Sequence, residues 1–251
     1  METLGWCDKM VPMLRRLRGA RERMRSFFAL EWVGEDDLYL QPVSEVAPGL
    51  FVGRRPAADR LAEISGRGIT HVVSCLDEKH RSSVDFLSTE FEHTFLPAVD
   101  EMHQDLADTF DAFFDVVDGA RDHNPDLSVL VHCEVGVSRS ASLAIALVMR
   151  DDRMTFLDAF ELVRSKRVQV LPNIAFASQL QRLEHRLRPE RRADERSSLA
   201  TYLSRYCSAP GEVGELDAAL RRHDFDAAAA LRSIYGGEIP RVVQGVRSIG
   251  R

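Results

Sequence analysis

The stretch Val129-Leu130-Val131-His132-Cys133-Glu134-Val135-Gly136-Val137-Ser138-Arg139-Ser140 constrains this chain more than any other. An apolar run suited to a buried strand stops at a cysteine and turns through a glycine. After Arg139 the sequence Ser-Ala-Ser-Leu-Ala-Ile-Ala-Leu-Val-Met is rich in helix formers and apolar on most faces, which predicts a buried helix. Strand, glycine loop and helix in this order deliver backbone N–H groups to a helix N-terminus, and such a terminus attracts an anion. The loop Cys133, Glu134, Val135, Gly136, Val137, Ser138 and Arg139 is therefore a candidate phosphate cradle.

The residue types in the cradle carry chemistry of their own. A thiol at the mouth of a helix dipole, beside a guanidinium, loses its proton more readily than a free cysteine at about 8.5. Cys133 is on this ground a candidate nucleophile. Arg139 can fold its planar fork over the same loop and grip two oxygens of a tetrahedral dianion, which lysine can do only as a point charge. Ser140 can direct its hydroxyl at the sulfur, and a hydrogen bond there makes the thiolate a better leaving group. His132 is expected to orient the loop through ring hydrogen bonds and not to act as a base.

These residues, His-Cys-x-x-Gly-x-Ser-Arg-Ser, resemble the signature of the dual-specificity branch of the cysteine-dependent protein tyrosine phosphatases, in its small atypical group. The resemblance implies an α/β fold with a mostly parallel central sheet flanked by helices. It also implies a cysteinyl-phosphate mechanism without metal or cofactor. In it Cys133 attacks phosphorus, an aspartate protonates the leaving oxygen, and water then releases phosphate. The substrates implied are phosphoproteins carrying phosphotyrosine or phosphoserine/phosphothreonine. Positions 134, 135, 137 and 138 offer no lysine to meet further phosphates, which disfavours inositides. A phospho-binding scaffold with little activity, or a phosphatase of a non-protein ester, is the rival; scaffolds usually arise by losing the cysteine, arginine or aspartate.

Composition bounds the rest. The 251 residues suffice for one sizeable domain plus appendages, with 45% hydrophobic and 29% charged residues in the range of soluble globular proteins. A net charge of −6 argues against nucleic acid as a partner. Cys7, Cys75, Cys133 and Cys207 are scattered, without metal-ligand spacing or a disulfide framework. A working thiolate needs a reducing compartment, which points to the cytoplasm or nucleus. No apolar run approaches the roughly 20 residues of a membrane span.

Taken in order, residues 1–43 begin with a basic amphipathic segment, where Leu14, Leu17, Met24 and Phe28 recur among six arginines between Arg15 and Arg25. A helix resting its apolar stripe on the catalytic domain fits this pattern. A docking or membrane-surface helix, or an organelle presequence, fits it too. The catalytic domain is expected over 44–188. Ser44 to Gly53 reads as two short strands about a Pro-Gly turn, Asp59 to Arg67 as a helix, and Ile69 to Cys75 as a strand. Its opening, Pro-Gly-Leu-Phe-Val-Gly and later Gly-Ile-Thr-His-Val-Val, is similar to the same family.

Phe91 to Val99 is a further strand, ending at the polar loop Asp100-Glu101-Met102-His103-Gln104-Asp105-Leu106. In related phosphatases a strand ending Ile-Pro-Val-Glu-Asp carries the proton donor as its last residue. Leu96-Pro97-Ala98-Val99-Asp100 is similar, with Val99 where glutamate is frequent, and this assigns the acid to Asp100. Glu101 and Asp105 are acidic neighbours that could substitute. An amphipathic helix with Phe110, Phe113 and Phe114 follows, so Asp100 precedes a crossover and Cys133 ends the strand after it. A right-handed crossover puts both loops at one carboxyl edge. Met154 to Arg167 reads as a capped helix, and Pro172-Asn173-Ile174-Ala175-Phe176 as the start of the last domain helix, with Asn173 as its cap or as a partner of the site. In some relatives a second cysteine near Cys75 forms a protective disulfide; a buried core cysteine is the alternative at Cys75.

Residues 189–251 are expected to form a charged linker and a helical extension, with short helices around Leu199–Tyr206, Gly214–Arg222 and Phe225–Ile234. Glu215 to Leu220 and Asp224 to Leu231 are faintly similar to the last two helices of ubiquitin-associated domains. The final residues, Val246 to Arg251, are expected to fray.

Overall fold

The computed structural model of the chain describes residues 41–124, 127–190, 195–207, 209, 211–237 and 239. The expected basic helix of the first 40 residues and the frayed end lie outside the described residues. Five strands form one sheet: β1 (Val43–Ala47), β2 (Leu50–Arg54), β3 (His71–Leu76), β4 (Glu92–Pro97) and β5 (Val129–Cys133). Their spatial order is β1-β2-β5-β3-β4. Only β1 and β2 pair antiparallel; the other three pairings are parallel. The hairpin between β1 and β2 turns at Gly49, which has a φ of 70°, and a Cβ there would lie 2.6 Å from the Leu127 carbonyl oxygen.

The last strand in sequence occupies the centre of the sheet. After β4 the chain runs through α2 (Ala107–His123), passes over β3 and inserts β5 between β2 and β3. The crossover expected between Asp100 and Cys133 is present, although the two strands it joins are separated by β3. All of β5 is buried, as its unbroken apolar run demands of a strand covered on both faces. Because β4 and β5 both run parallel to β3, their carboxyl ends open on one edge.

One face of the sheet is covered by α2, α3 (Arg139–Asp151), α4 (Phe156–Lys166) and α5 (Ile174–Leu187), with a core that includes Val73, Val131, Phe113, Ile145, Phe160 and Leu180. The other face is covered more thinly, by α1 (Leu61–Ser65) and a 3-10 stretch, Glu78–Thr89, over Val72, Leu76, Val84, Leu87 and Leu130. Thr155 caps α4 by accepting the Asp158 N–H at 3.1 Å. Asn173 caps α5 by accepting the Phe176 N–H at 3.0 Å.

The C-terminal helices are α6 (Ser198–Tyr206), α7 (Val213–Arg222) and α8 (Ala227–Tyr235), close to their expected bounds. They share the core of the sheet's larger face: Leu199, Tyr202, Leu203, Leu216, Leu220 and Leu231 are buried with the residues of α3 to α5. Phe160 of α4 is the hinge of this packing, edge-on to Tyr202 at 4.9 Å and to Tyr206 at 4.7 Å between ring centroids. Phe160→Ala is expected to lower unfolding stability by about 3–5 kcal/mol, the usual cost of emptying a fully buried aromatic site. Chemical denaturation should show α4 and α6 unfolding in one transition, since the cavity opens between them.

Candidate active site

The thiol of Cys133 lies at the carboxyl end of β5, nearly buried at 2% exposure. Its Sγ accepts hydrogen bonds from the Gly136 N–H and from Ser140 Oγ, both at 3.2 Å. The glycine is required by geometry. Gly136 has a φ of 75°, and a Cβ on it would lie 2.5 Å from the Gly53 carbonyl oxygen and 2.6 Å from Arg167 Nη2. The helix expected after the loop begins at Arg139 and is buried from there to Met149.

A loop that turns its N–H groups toward an anion must place its carbonyls elsewhere. Arg167, just past α4, receives them. Its Nε donates to the Gly136 carbonyl at 2.8 Å and its Nη2 to that of Val135 at 3.1 Å. Its Nη1 donates to the Gln41 carbonyl at 3.0 Å and to Ser44 Oγ at 3.2 Å. Burial pulls Arg167 down to about 10, with the charge of Cys133 acting in the opposite sense, so it stays protonated near neutrality. From the sequence this residue closes a helix in a run, Arg-Ser-x-Arg and then Pro-Asn-x-x-Phe, that resembles the same family, and only its hydrogen-bond partners are not legible there.

Arg139 is buried, with Nη1 donating to the Ala98 carbonyl at 3.1 Å. Its Nε makes no hydrogen bond among the described residues and lies 3.8 Å from Asp100 Oδ2. Asp100 is held by two donors on Oδ1: Ser138 Oγ at 2.8 Å and Asn173 Nδ2 at 2.9 Å. Ser138 in turn accepts the Asn173 N–H at 3.2 Å. Asn173 is thus both a helix cap and a partner of the site, the two alternatives its sequence left open. The cradle and the acidic loop are joined through one serine and one asparagine. Glu101 turns outward to His103 at 3.3 Å, and Asp105 accepts the Ala107 N–H at 2.9 Å, so each has other employment. Glu134 pairs with Arg55 at 3.2 Å on the rim, and Val135 is exposed.

Behind the cradle, His132 is fully buried. Ser74 Oγ bridges its Nε2 at 2.6 Å and His93 Nε2 at 2.8 Å, while Ser88 Oγ lies 3.2 Å from His93 Nδ1. His132 Nδ1 faces the Cys133 carbonyl at 3.4 Å. The proton assignment that satisfies every group runs from the Ser88 hydroxyl to His93, from His93 to Ser74, from Ser74 to His132, and from His132 to the Cys133 carbonyl. This supports an orienting role for His132. Cys75 is also buried and is a free thiol, as Cys133 is. Burial, and then the neighbouring Cys133, push the Cys75 thiol up, which keeps it protonated.

Burial lowers His132 to about 3 and also lowers the half-buried His93. With the folded value below the ordinary value of about 6.5, the stabilisation from neutral His132 is complete above about pH 6.5 and is lost as the pH falls toward 3. The denaturation midpoint is therefore expected to fall over that range. His132→Gln should be less stable at neutral pH but should show a shallower decline with acid.

The Cys133 thiol, the Arg139 guanidinium and the Asp100 carboxyl group meet around one loop, a set of groups suited to phosphoryl transfer. Residues 50–186 match the family model described as dual specificity phosphatase, catalytic domain. Human dual specificity protein phosphatase 14 is 31% identical over 171 residues, covering 68% of this chain and 82% of the relative. MAP kinase phosphatase with leucine-rich repeats protein 3 of Dictyostelium discoideum is 33% identical over 145 residues, covering 57% of this chain but only 16% of that longer relative. Among solved structures, human DUSP28 superposes with a TM-score of 0.53 at 28% identity, covering 59% of this chain and 95% of that one. Strand order, signature loop and these likenesses agree: the chain belongs to the dual specificity phosphatase catalytic-domain family.

Proposed function

We propose that this protein phosphatase hydrolyses phosphotyrosine and phosphoserine/phosphothreonine in proteins through a cysteinyl-phosphate on Cys133. The observation that carries the reading is Asp100 hydrogen-bonded to Ser138 of the cradle, which sets a proton donor beside the nucleophile. In the first step Cys133 Sγ bonds to phosphorus, the bond from phosphorus to the leaving oxygen breaks, and that oxygen takes the proton of Asp100. Arg139 and the N–H groups of 134–139 bind the three remaining oxygens as charge shifts among them. In the second step Asp100 takes a proton from water, the new oxygen–phosphorus bond forms and the sulfur–phosphorus bond breaks. The Ser140 hydroxyl, 3.2 Å from Sγ, stabilises the departing thiolate.

On a generic aryl phosphate, Cys133→Ser and Arg139→Ala should each abolish turnover while the fold is retained. Asp100→Asn should depress hydrolysis of esters with poor leaving groups by about 10²–10⁴-fold and spare an activated ester. Equal losses on both ester types would move the acid to Glu101 or Asp105, and a wild-type chain inert toward every ester would favour a phospho-binding scaffold.

A protein substrate is favoured over a multiply phosphorylated small molecule by the rim itself. Glu134 adds a carboxylate, already paired with Arg55, and positions 135, 137 and 138 add no cation. Phosphate release should be faster from phosphopeptides than from an inositide panel, measured side by side.

The reducing environment that Cys133 needs supports a cytoplasmic or nuclear site of action; no helix among the described residues is long and apolar enough to cross a membrane. The catalytic domain is read as 44–188, with β1 starting just ahead of it at Val43, and the segment before the sheet as a docking or membrane-surface element. The residues behind the ubiquitin-associated likeness, Leu216, Leu220 and Leu231, are buried in the shared core. This supports reading 195–237 as part of the catalytic body over a free-standing ubiquitin-binding module.

A further inference from the structure

Where the C-terminal helices come nearest the acid loop, they hold one segment of chain, residues 172–182. On one side this segment holds the acid loop. Asn173 donates to Asp100, Gln179 Oε1 accepts the Leu106 N–H at 2.6 Å, and Gln179 Nε2 donates to the Gln104 carbonyl at 2.8 Å. Gln104 closes the loop on itself by accepting the Val99 N–H at 3.1 Å. Both ends of the turn that carries Asp100 are thus tied to α5.

On its other side the same segment is gripped by the extension. The hydroxyl of the buried Tyr202 donates to the Pro172 carbonyl at 2.5 Å, on the peptide that leads into Asn173. The Leu199 N–H at the start of α6 donates to Gln181 Oε1 at 2.8 Å, and the Ala227 N–H at the start of α8 donates to Ser178 Oγ at 3.0 Å. Arg182 donates through Nε and Nη2 to the Asp224 carbonyl at 3.2 and 3.1 Å. The turn that presents Asp224 places two successive non-glycine residues, Asp224 and Phe225, at φ of 49° and 56°. Such backbone is unfavourable for L-residues and persists only where its surroundings hold it. Here Phe225 is held edge-on by His185 of α5 at 4.6 Å.

We propose that α6–α8 are a positioning element for the general acid, with Tyr202 the positioning residue that fixes the Pro172–Asn173 peptide and through it the carboxyl of Asp100. The matched family region ends at 186, so the contacts made by 197–227 come from outside that region. A small serine–asparagine linkage holds Asp100 against the cradle, and the extension prevents the asparagine's end of that linkage from drifting. The inference rests on the phosphatase reading given above.

The test compares Tyr202→Phe, which keeps the ring packing and removes only the hydroxyl, with Ser178→Ala, which removes the partner of Ala227. Rates on an aryl phosphate with a poor leaving group and on an activated one are measured for the full chain. Each variant should lose about 3- to 10-fold on the poor leaving group, a modest share of what loss of a general acid costs, and stay within about twofold on the activated ester. When combined with Asp100→Asn, neither should reduce the rate much further, because the acid they position is already gone. Hydrogen exchange should quicken over 99–106 in both variants and stay unchanged over 129–140. Equal losses on both esters, or additive losses with Asp100→Asn, would overturn the positioning role while leaving the phosphatase reading intact. Unchanged exchange over 99–106 would overturn it even if a variant proved too unstable for kinetics. A wild-type chain inert toward both esters would instead overturn the phosphatase reading, and this inference with it.

Discussion

The buried guanidinium of Arg167 is the interaction on which the site depends. A cradle for an anion needs its peptide N–H groups aimed inward, and an unpaired buried carbonyl costs free energy comparable to a lost hydrogen bond. Arg167 accepts that burden with a planar fork that reaches two successive loop carbonyls and two further oxygens near β1. Lysine could not span this set, because its donors radiate from one nitrogen. Among the described residues the guanidinium meets carbonyl and hydroxyl oxygens and no carboxylate, so oxygen dipoles stand where a countercharge would. Its closeness also explains why position 136 tolerates only hydrogen as a side chain.

From that support the remaining geometry follows outward. The loop sets Ser138 at the start of α3, Ser138 reaches Asp100, and Asn173 closes the triangle. Three segments distant in sequence, around residues 100, 138 and 173, meet through polar contacts at the edge where the parallel strands end. The aromatic cluster of Phe156, Phe160 and Tyr202 is tied to this triangle through the Tyr202 hydroxyl on the Pro172 carbonyl. Polar precision at the edge is thus coupled to apolar packing below it, and a change in either should be felt in the other.

Much of this was legible in the sequence, because the chemistry is written in local runs. The strand from Val129, the glycine at 136 and the apolar helix after Arg139 each carry their own period and punctuation, and the bounds of α6–α8 were readable from apolar spacing. Asp100 was distinguishable from Glu101 and Asp105 only by resemblance; what separates them physically is their partners, which lie as far away as Ser138 and Asn173. The insertion of β5 between β2 and β3 was not legible, since several strand orders satisfy the same parallel pattern. The partners of Arg167 and the Ser74 bridge escaped for a related reason. A lone arginine at a helix end and a lone serine in a strand look like surface charge and small filler until the fold brings their acceptors to them.

The central position of β5 has a consequence for how the protein comes into being. His132 meets Ser74 across 58 residues of chain, and Arg167 meets Gln41 across 126. Closures of that span are made late and slowly, because their entropy is lost before the contacts form. During synthesis the strand that ends in Cys133 leaves the ribosome well before the arginine that shapes its loop. A nascent chain therefore carries the cysteine before the loop around it is assembled, and the surroundings of its sulfur are set only when the body is nearly complete.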